Sequence, residues 1–205
     1  MAPLIEVSEK TLKGLEQLGV SYTLRQKTSN DSVYVPSANL WVAKQRTLQE
    51  KNWFETQKEL RKQGLSMQTP LKFVEFLKEI KNNHPEIYED ITGVREPWRA
   101  EWFDAFFEKR QDGLYMLTEN KARTEKLDGN TLMNDRRIDL ESWVNNPTSQ
   151  GLPRKDVREG NLYYWYPRAD SVAWFYAGSD RANLNCGRNP HYWYSGLGVR
   201  ATRHE

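Results

Sequence analysis

The sequence predicts an α+β fold in which two helices pack on a loop-rich, mostly antiparallel β region. Three observations predict it. Residues 52–63 and 69–82 carry apolar side chains at helical spacing behind good cap residues. The second half carries short aromatic runs separated by turn residues, as strands do. A single cysteine, Cys186, excludes an internal disulfide, so a hydrophobic core must hold the fold. A chain of 205 residues suits one domain and is long enough to build that core.

Residues 1–32 are expected to be a helix-and-loop extension. Ser8 can cap the helix, Leu12, Leu15 and Leu18 recur at helical spacing, and Gly19 can end it. The polar stretch 26–32 reads as a loop, followed by short extended pieces at 33–35 and 39–43 around Pro36. Asn52 caps the first main helix, which runs through Trp53, Phe54, Thr56, Gln57 and Leu60 to a stop at Gly64. Thr69 caps the second, with Pro70 at its first position, where a missing N–H costs nothing. Leu71, Phe73, Val74, Phe76, Leu77 and Ile80 give it a broad apolar face, ending near Asn82 and Asn83. A shorter helix through Ile87, Tyr88 and Ile91 ends at Gly93. Trp102, Phe103, Ala105, Phe106 and Phe107 then form a run without helical period. Asp112-Gly113 supplies a turn and 114–117 returns, which is a hairpin signal. Residues 119–158 are polar, and long loops with short strands are expected there.

Charged residues make up 28% and hydrophobic ones 38%, the composition of a soluble globular chain. The net charge of +2 gives no electrostatic case for nucleic acid. No apolar run approaches membrane-spanning length, and residues 1–10 lack the pattern of a signal peptide. Cytoplasmic synthesis is therefore expected, with any place on a virion or cell surface reached by assembly.

Residues 160–205 differ from the rest. They hold ten aromatic side chains and no lysine, and their other residues are mainly Arg, Asn, Ser, Gly, Ala and Asp. That is the composition of a contact surface. Tyr and Trp offer rigid area with a polar handle, Arg a planar donor fork, and Asn, Ser and Gly adapt cheaply. Lysine is disfavoured there because ordering its long chain costs entropy. Residues 163–166, Phe175 and Val199 interleave with small apolar residues and are expected to be buried. Tyr192, Trp193 and Tyr194 are consecutive and follow Pro190, so they cannot all enter one core and are expected at the surface.

Ser171-Val172-Ala173-Trp174-Phe175 and Leu197-Gly198-Val199-Arg200-Ala201 resemble the closing strands of the formylglycine-generating-enzyme-like branch of the C-type lectin fold. The run from Gly64 to Pro70 resembles that branch's junction into its second helix, and the resemblance covers residues 33–201. It implies a single C-type-lectin-like domain over 1–205. Within the branch, the composition of the last segment is similar to that of the variable proteins of diversity-generating retroelements. Their adenine-directed mutagenesis turns Asn codons into many residue types and makes Lys codons hazardous.

That resemblance implies a variable region at 171–200 and a non-enzymatic protein that binds an unknown protein or surface target, as a monomer. The variable, ligand-contacting positions would be Trp174, Tyr176, Gly178, Asp180, Arg181, Asn183, Asn185, Gly187, Arg188, Asn189, His191, Tyr192, Trp193 and Tyr194. The framework would be Leu184, Pro190, Leu197, Gly198, Val199 and Arg200, joined by Ser171, Val172, Ala173, Phe175, Ala177, Ser179, Ala182, Cys186, Ser195 and Gly196. A position free to vary must not carry the core, since core changes cost on the order of the whole stability margin. Replacing Tyr192, Trp193 and Tyr194 together by Ser should therefore barely move the melting temperature.

The alternative is a divergent formylglycine-generating-enzyme-like or sugar-binding lectin domain. One cysteine excludes the cysteine pair of the oxidase, and Glu96-Pro97-Trp98 and Asn134-Asp135 fail the lectin sugar motifs. His84, His191 and His204 sit in no ligand-spaced motif, so no metal, catalytic residue or cofactor is expected. Asp128, Asn130, Asn134 and Asp135 could gather around a structural calcium, but polar loops hold such residues by default. Glu101, Asp104 and Glu108 could be an acid pair for hydrolysis, against a plainer reading as solvent-facing strand charges.

Overall fold

The computed structural model describes residues 31–204, so the expected helix at 8–19 and the loop up to residue 30 lie outside the described residues. A hairpin comes first, Ser32–Val35 (β1) and Leu40–Ala43 (β2), joined by a 3-10 turn at Pro36–Ala38. Three helices follow: Trp53–Lys62 (α1), Pro70–Asn83 (α2) and Pro85–Thr92 (α3). The remainder is mostly strand: Arg99–Arg110 (β3), Gly113–Thr118 (β4), Arg123–Lys126 (β5), Arg136–Ile138 (β6), Leu162–Trp165 (β7), Ser171–Ala177 (β8), Ala182–Arg188 (β9), Leu197–Gly198 (β10) and Thr202–His204 (β11). A fourth helix, Leu140–Asn145 (α4), interrupts it. Among the described residues no helix is long and apolar enough to cross a membrane.

The local signals act where they stand in the sequence. Asn52 Oδ1 accepts the Glu55 N–H and Glu55 Oε2 accepts the Asn52 N–H, both at 3.0 Å, a reciprocal capping box. Gly64, at φ +68, ends α1 by letting its N–H reach Arg61 O and the Leu65 N–H reach Leu60 O. Thr69 Oγ1 caps α2 by accepting the Lys72 N–H. Asn52→Ala removes the side-chain half of the box, leaving the backbone N–H of residue 52 to donate to Glu55, and should lower stability by about 1 kcal/mol in urea unfolding.

The main sheet runs β5-β4-β3-β8-β9-β7-β6, with β10 added beside β3, and a second sheet joins β1, β2 and β11. In β3, Phe103, Ala105 and Phe107 enter the larger core cluster, while Ala100, Trp102 and Phe106 enter a second one. β8 divides likewise, Ala173, Phe175 and Ala177 against Val172 and Trp174. Strands that are apolar on both faces need cover on both. Phe73, Val74, Phe76, Leu77 and Ile80 of α2 join the first cluster, Trp53 and Leu60 of α1 the second. Phe73 lies 4.6 Å from Phe103 and 5.2 Å from Phe175, ring centre to ring centre. The Trp53 indole donates to Phe103 O at 2.7 Å.

The C-type-lectin-like arrangement expected from the sequence is overturned. The described residues hold four α-helices rather than two, and the two long ones serve opposite sides of the sheet. The sheet is open and mixed, because β7 runs parallel to β9 and β10 parallel to β3. α4 falls where only loops and strands were expected. Asp139 caps it through the Ser142 N–H at 2.8 Å, and only Trp143 and Val144 are buried. Leu140, Trp143 and Val144 do stand at helical spacing behind the Asp139 cap, but six residues are too few for that spacing to stand out in a polar stretch.

Candidate binding surface

Residues alternate across β8 and β9. Ala173, Phe175, Ala177, Ala182, Leu184 and Cys186 belong to the larger core. Cross-strand partners Tyr176 and Asn183, and Trp174 and Asn185, lie on the opposite face. On β7, Tyr163 pairs with Asn183 and Trp165 with Asn185, so these two half-buried rings extend that face. They were expected to be buried, as was Tyr166, which is half-buried; of residues 163–166 only Tyr164 enters the core.

The segment 189–196 is tied down at both ends. Trp53 N–H donates to Pro190 O, Glu50 N–H to Tyr194 O, and Ala100 N–H to Gly196 O. Asn189 closes the turn, its side chain accepting the His191 N–H and its carbonyl the Tyr192 N–H. Tyr192 packs edge-on to Trp174 at 5.8 Å, and Tyr194 lies 4.8 Å from Trp98, itself 6.2 Å from Trp174. Arg188 stands 3.6 Å above the Tyr192 ring and 4.6 Å from Trp174, in cation–π contact with both. Trp193 is 61% and Tyr194 44% exposed.

The structure thus gathers Trp174, Tyr176, Arg188, Tyr192 and Tyr194 into one aromatic platform with Trp193 beside it. Asn189 and His191 lie off it, beside a depression of about 450 Å³ shared with Phe54 and Arg168. Asp180 and Arg181 sit at the β8–β9 turn by another depression of about 570 Å³, Arg181 over Tyr163. Gly178 is buried at the same turn, and Gly187 is half-buried against Arg168.

Three expected contact positions are interior, Gly178, Asn183 and Trp174. Asn183 is 2% exposed and Trp174 5%, the latter because Trp98, Trp102, Tyr176 and Tyr192 surround its indole. Tyr192 is half-buried, so the triple Ser variant would lose packing after all. The framework positions Leu184, Pro190, Leu197, Gly198, Val199 and Arg200 are buried, whereas Ser179 and Ser195 are exposed. Trp98 belongs to the platform although it was not among the expected contact positions; its two-residue spacing from Ala100 and Trp102 is a strand signal.

Glu101 and Asp104 are also buried rather than solvent-facing. Arg200 Nη1 meets Glu101 at 2.6 Å and Nη2 meets Asp90 at 2.8 Å, with Nε donating to Lys44 O. Burial pushes the Glu101 carboxyl up, and Arg200 and Arg46 oppose the shift. Asp104 accepts from Gln57 Nε2 at 2.6 Å and the Glu119 N–H at 2.7 Å. Both carboxylates are therefore engaged in holding the fold. Burial also raises the Cys186 thiol far above its ordinary range, leaving it protonated and shielded, unsuited to nucleophilic attack. Among the described residues no group of three or more His, Cys, Asp or Glu could hold a metal ion.

Fold and surface together define a two-faced mixed sheet carrying an exposed, well-anchored aromatic loop. Comparison with known protein families, curated proteins and solved structures found no match, so the C-type-lectin and retroelement family names gain no support.

Proposed function

We propose that this chain is a non-enzymatic binding protein that engages a polypeptide target through the loop 189–195 and the aromatic platform beneath it. The supporting observation is Trp193 beside Tyr194, both exposed, on a loop hydrogen-bonded at each end. A loop ordered before binding removes much of its own ordering entropy from the cost of association. Trp and Tyr are the side chains most often dominant in interface energetics.

In this reading the surface differs between related copies of the chain at exposed positions, Asp180, Arg181, Asn189, His191, Trp193 and Tyr194. Trp174 and Asn183 stay constant because they are interior. Sequencing such copies tests this, and free variation at Trp174 would refute it. Once a target is captured, Trp193→Ser should weaken binding by about 2 kcal/mol or more, as hot-spot truncations do. Calorimetry reads the affinity. Its melting temperature should stay within about 1 °C of the parent, in keeping with an exposed substitution. Unchanged affinity for both Trp193→Ser and Tyr194→Ser would remove the loop from the interface.

A further inference from the structure

Beside the loop lies a cleft of about 640 Å³ whose wall includes Arg46, Arg95, Glu96, Trp98, Arg99 and Tyr194. Arg46 is half-buried and meets no carboxylate among the described residues. Its Nη1 donates to Ala100 O at 3.2 Å and Gly196 O at 2.7 Å, leaving Nε and Nη2 without a partner among the described residues. The Arg99 side chain is 6% exposed. Its Nε and Nη2 donate to Asp90 O and Gly93 O, and its Nη1 is buried with no partner among the described residues. Arg95 reaches Asp90 from the rim.

Among the described residues charge does not balance here. Arg46, Arg95, Arg99 and Arg200 converge on two engaged carboxylates, Asp90 and Glu101. Glu96, the third carboxylate, is exposed and joins no ion pair among those residues. Desolvation lowers the pKa of Arg46 and of Arg99, a sign of cations held from water without enough counter-charge. A cavity of about 10 Å³ beneath, lined by Arg46, Arg99 and Arg200 among others, has room for about one water.

We propose that this cleft is a binding site for an oxyanion, carboxylate or phosphate. Arg46 donates to it through Nε and Nη2, Arg95 closes the rim, and Arg99 contributes charge from below. Trp98 and Tyr194, 4.8 Å apart, form the apolar wall against which the group carrying the anion lies. Guanidinium groups suit this role because their planar fork matches two oxygens at once. The site goes beyond the loop's target, since it needs the cleft and not Trp193.

The test is an NMR titration of the Trp98 indole and Arg46 Nε signals with inorganic phosphate and, separately, acetate. Chloride is exchanged to hold ionic strength constant. Saturable movement is expected. Saturation by phosphate alone identifies a phosphorylated ligand, saturation by acetate alone a carboxylate, and saturation by both an oxyanion site that accepts either. Arg46→Gln should weaken binding about tenfold, the loss of a charge-assisted bond. Near-UV circular dichroism checks its fold. Arg95→Gln changes an exposed residue and should weaken binding by a smaller factor, so it decides the matter if the first variant does not fold. Trp193→Ser should bind the anion as the parent does, even if it loses a protein target. Shifts linear in ion concentration, equal with chloride, or unchanged in the folded variants would overturn the proposal.

Discussion

Replacing Arg200 by Leu is expected to cost about 3–5 kcal/mol of stability, because it leaves the buried Glu101 carboxylate without its cation. Arg200 is 1% exposed and bridges Glu101 on β3 to Asp90 on α3, while its Nε holds Lys44 O. It therefore joins three segments distant in the sequence. Removing only the cation leaves Glu101 buried and charged, or forces it to take up a proton. The double variant Arg200→Leu with Glu101→Leu should recover much of the loss, since apolar groups of similar volume often replace a buried ion pair at little cost. Urea unfolding of the two variants reads this directly. A single variant within about 1 kcal/mol of the parent would mean that the pair behaves like a surface salt bridge.

Leu184→Asp is expected to abolish cooperative unfolding, while Asn185→Asp, one residue along β9, is expected to shift stability by less than about 1 kcal/mol. Leu184 is fully buried between its strand partners Phe175 and Tyr164. An unpaired carboxylate there costs several kcal/mol, comparable with a whole margin of about 5–15 kcal/mol. Asn185 is half-buried on the opposite face, and its Oδ1 accepts the Gly187 N–H, a bond that Asp keeps. Thermal scans of both variants check the contrast. Equal tolerance at the two positions would show that β9 does not divide its faces as described.

The loop makes a finer contrast. Tyr192 is wedged between Trp174 and Arg188, whereas Trp193 is mostly in solvent. Three consecutive aromatics after a proline showed that they could not share one core. They did not show which of them turns inward, because the loop's path depends on Pro190 and Tyr194 bonding to residues 53 and 50.

Features set by neighbouring residues were legible along the chain. The caps at Asn52 and Thr69 and the glycine stop at Gly64 placed α1 and α2 to within a residue at each end. Within β8 and β9 the two-residue alternation separated one sheet face from the other, because successive side chains on a strand point to opposite faces; at the turn between them it fails, with Gly178 buried and Ser179 exposed. The remainder depends on contacts between distant segments. An amphipathic stripe requires that a helix be covered, but not which face of which sheet covers it, so α1 and α2 on opposite sides could not be read locally. Trp174 is alternately placed like a surface residue and is nevertheless interior, because Trp98 and Tyr192 arrive over it from distant segments. The arginine-lined cleft is built the same way, from residues 46, 95, 99 and 194. Its charge excess exists only once the chain has folded, since Arg46 and Tyr194 reach the 95–99 segment from distant parts of the sequence.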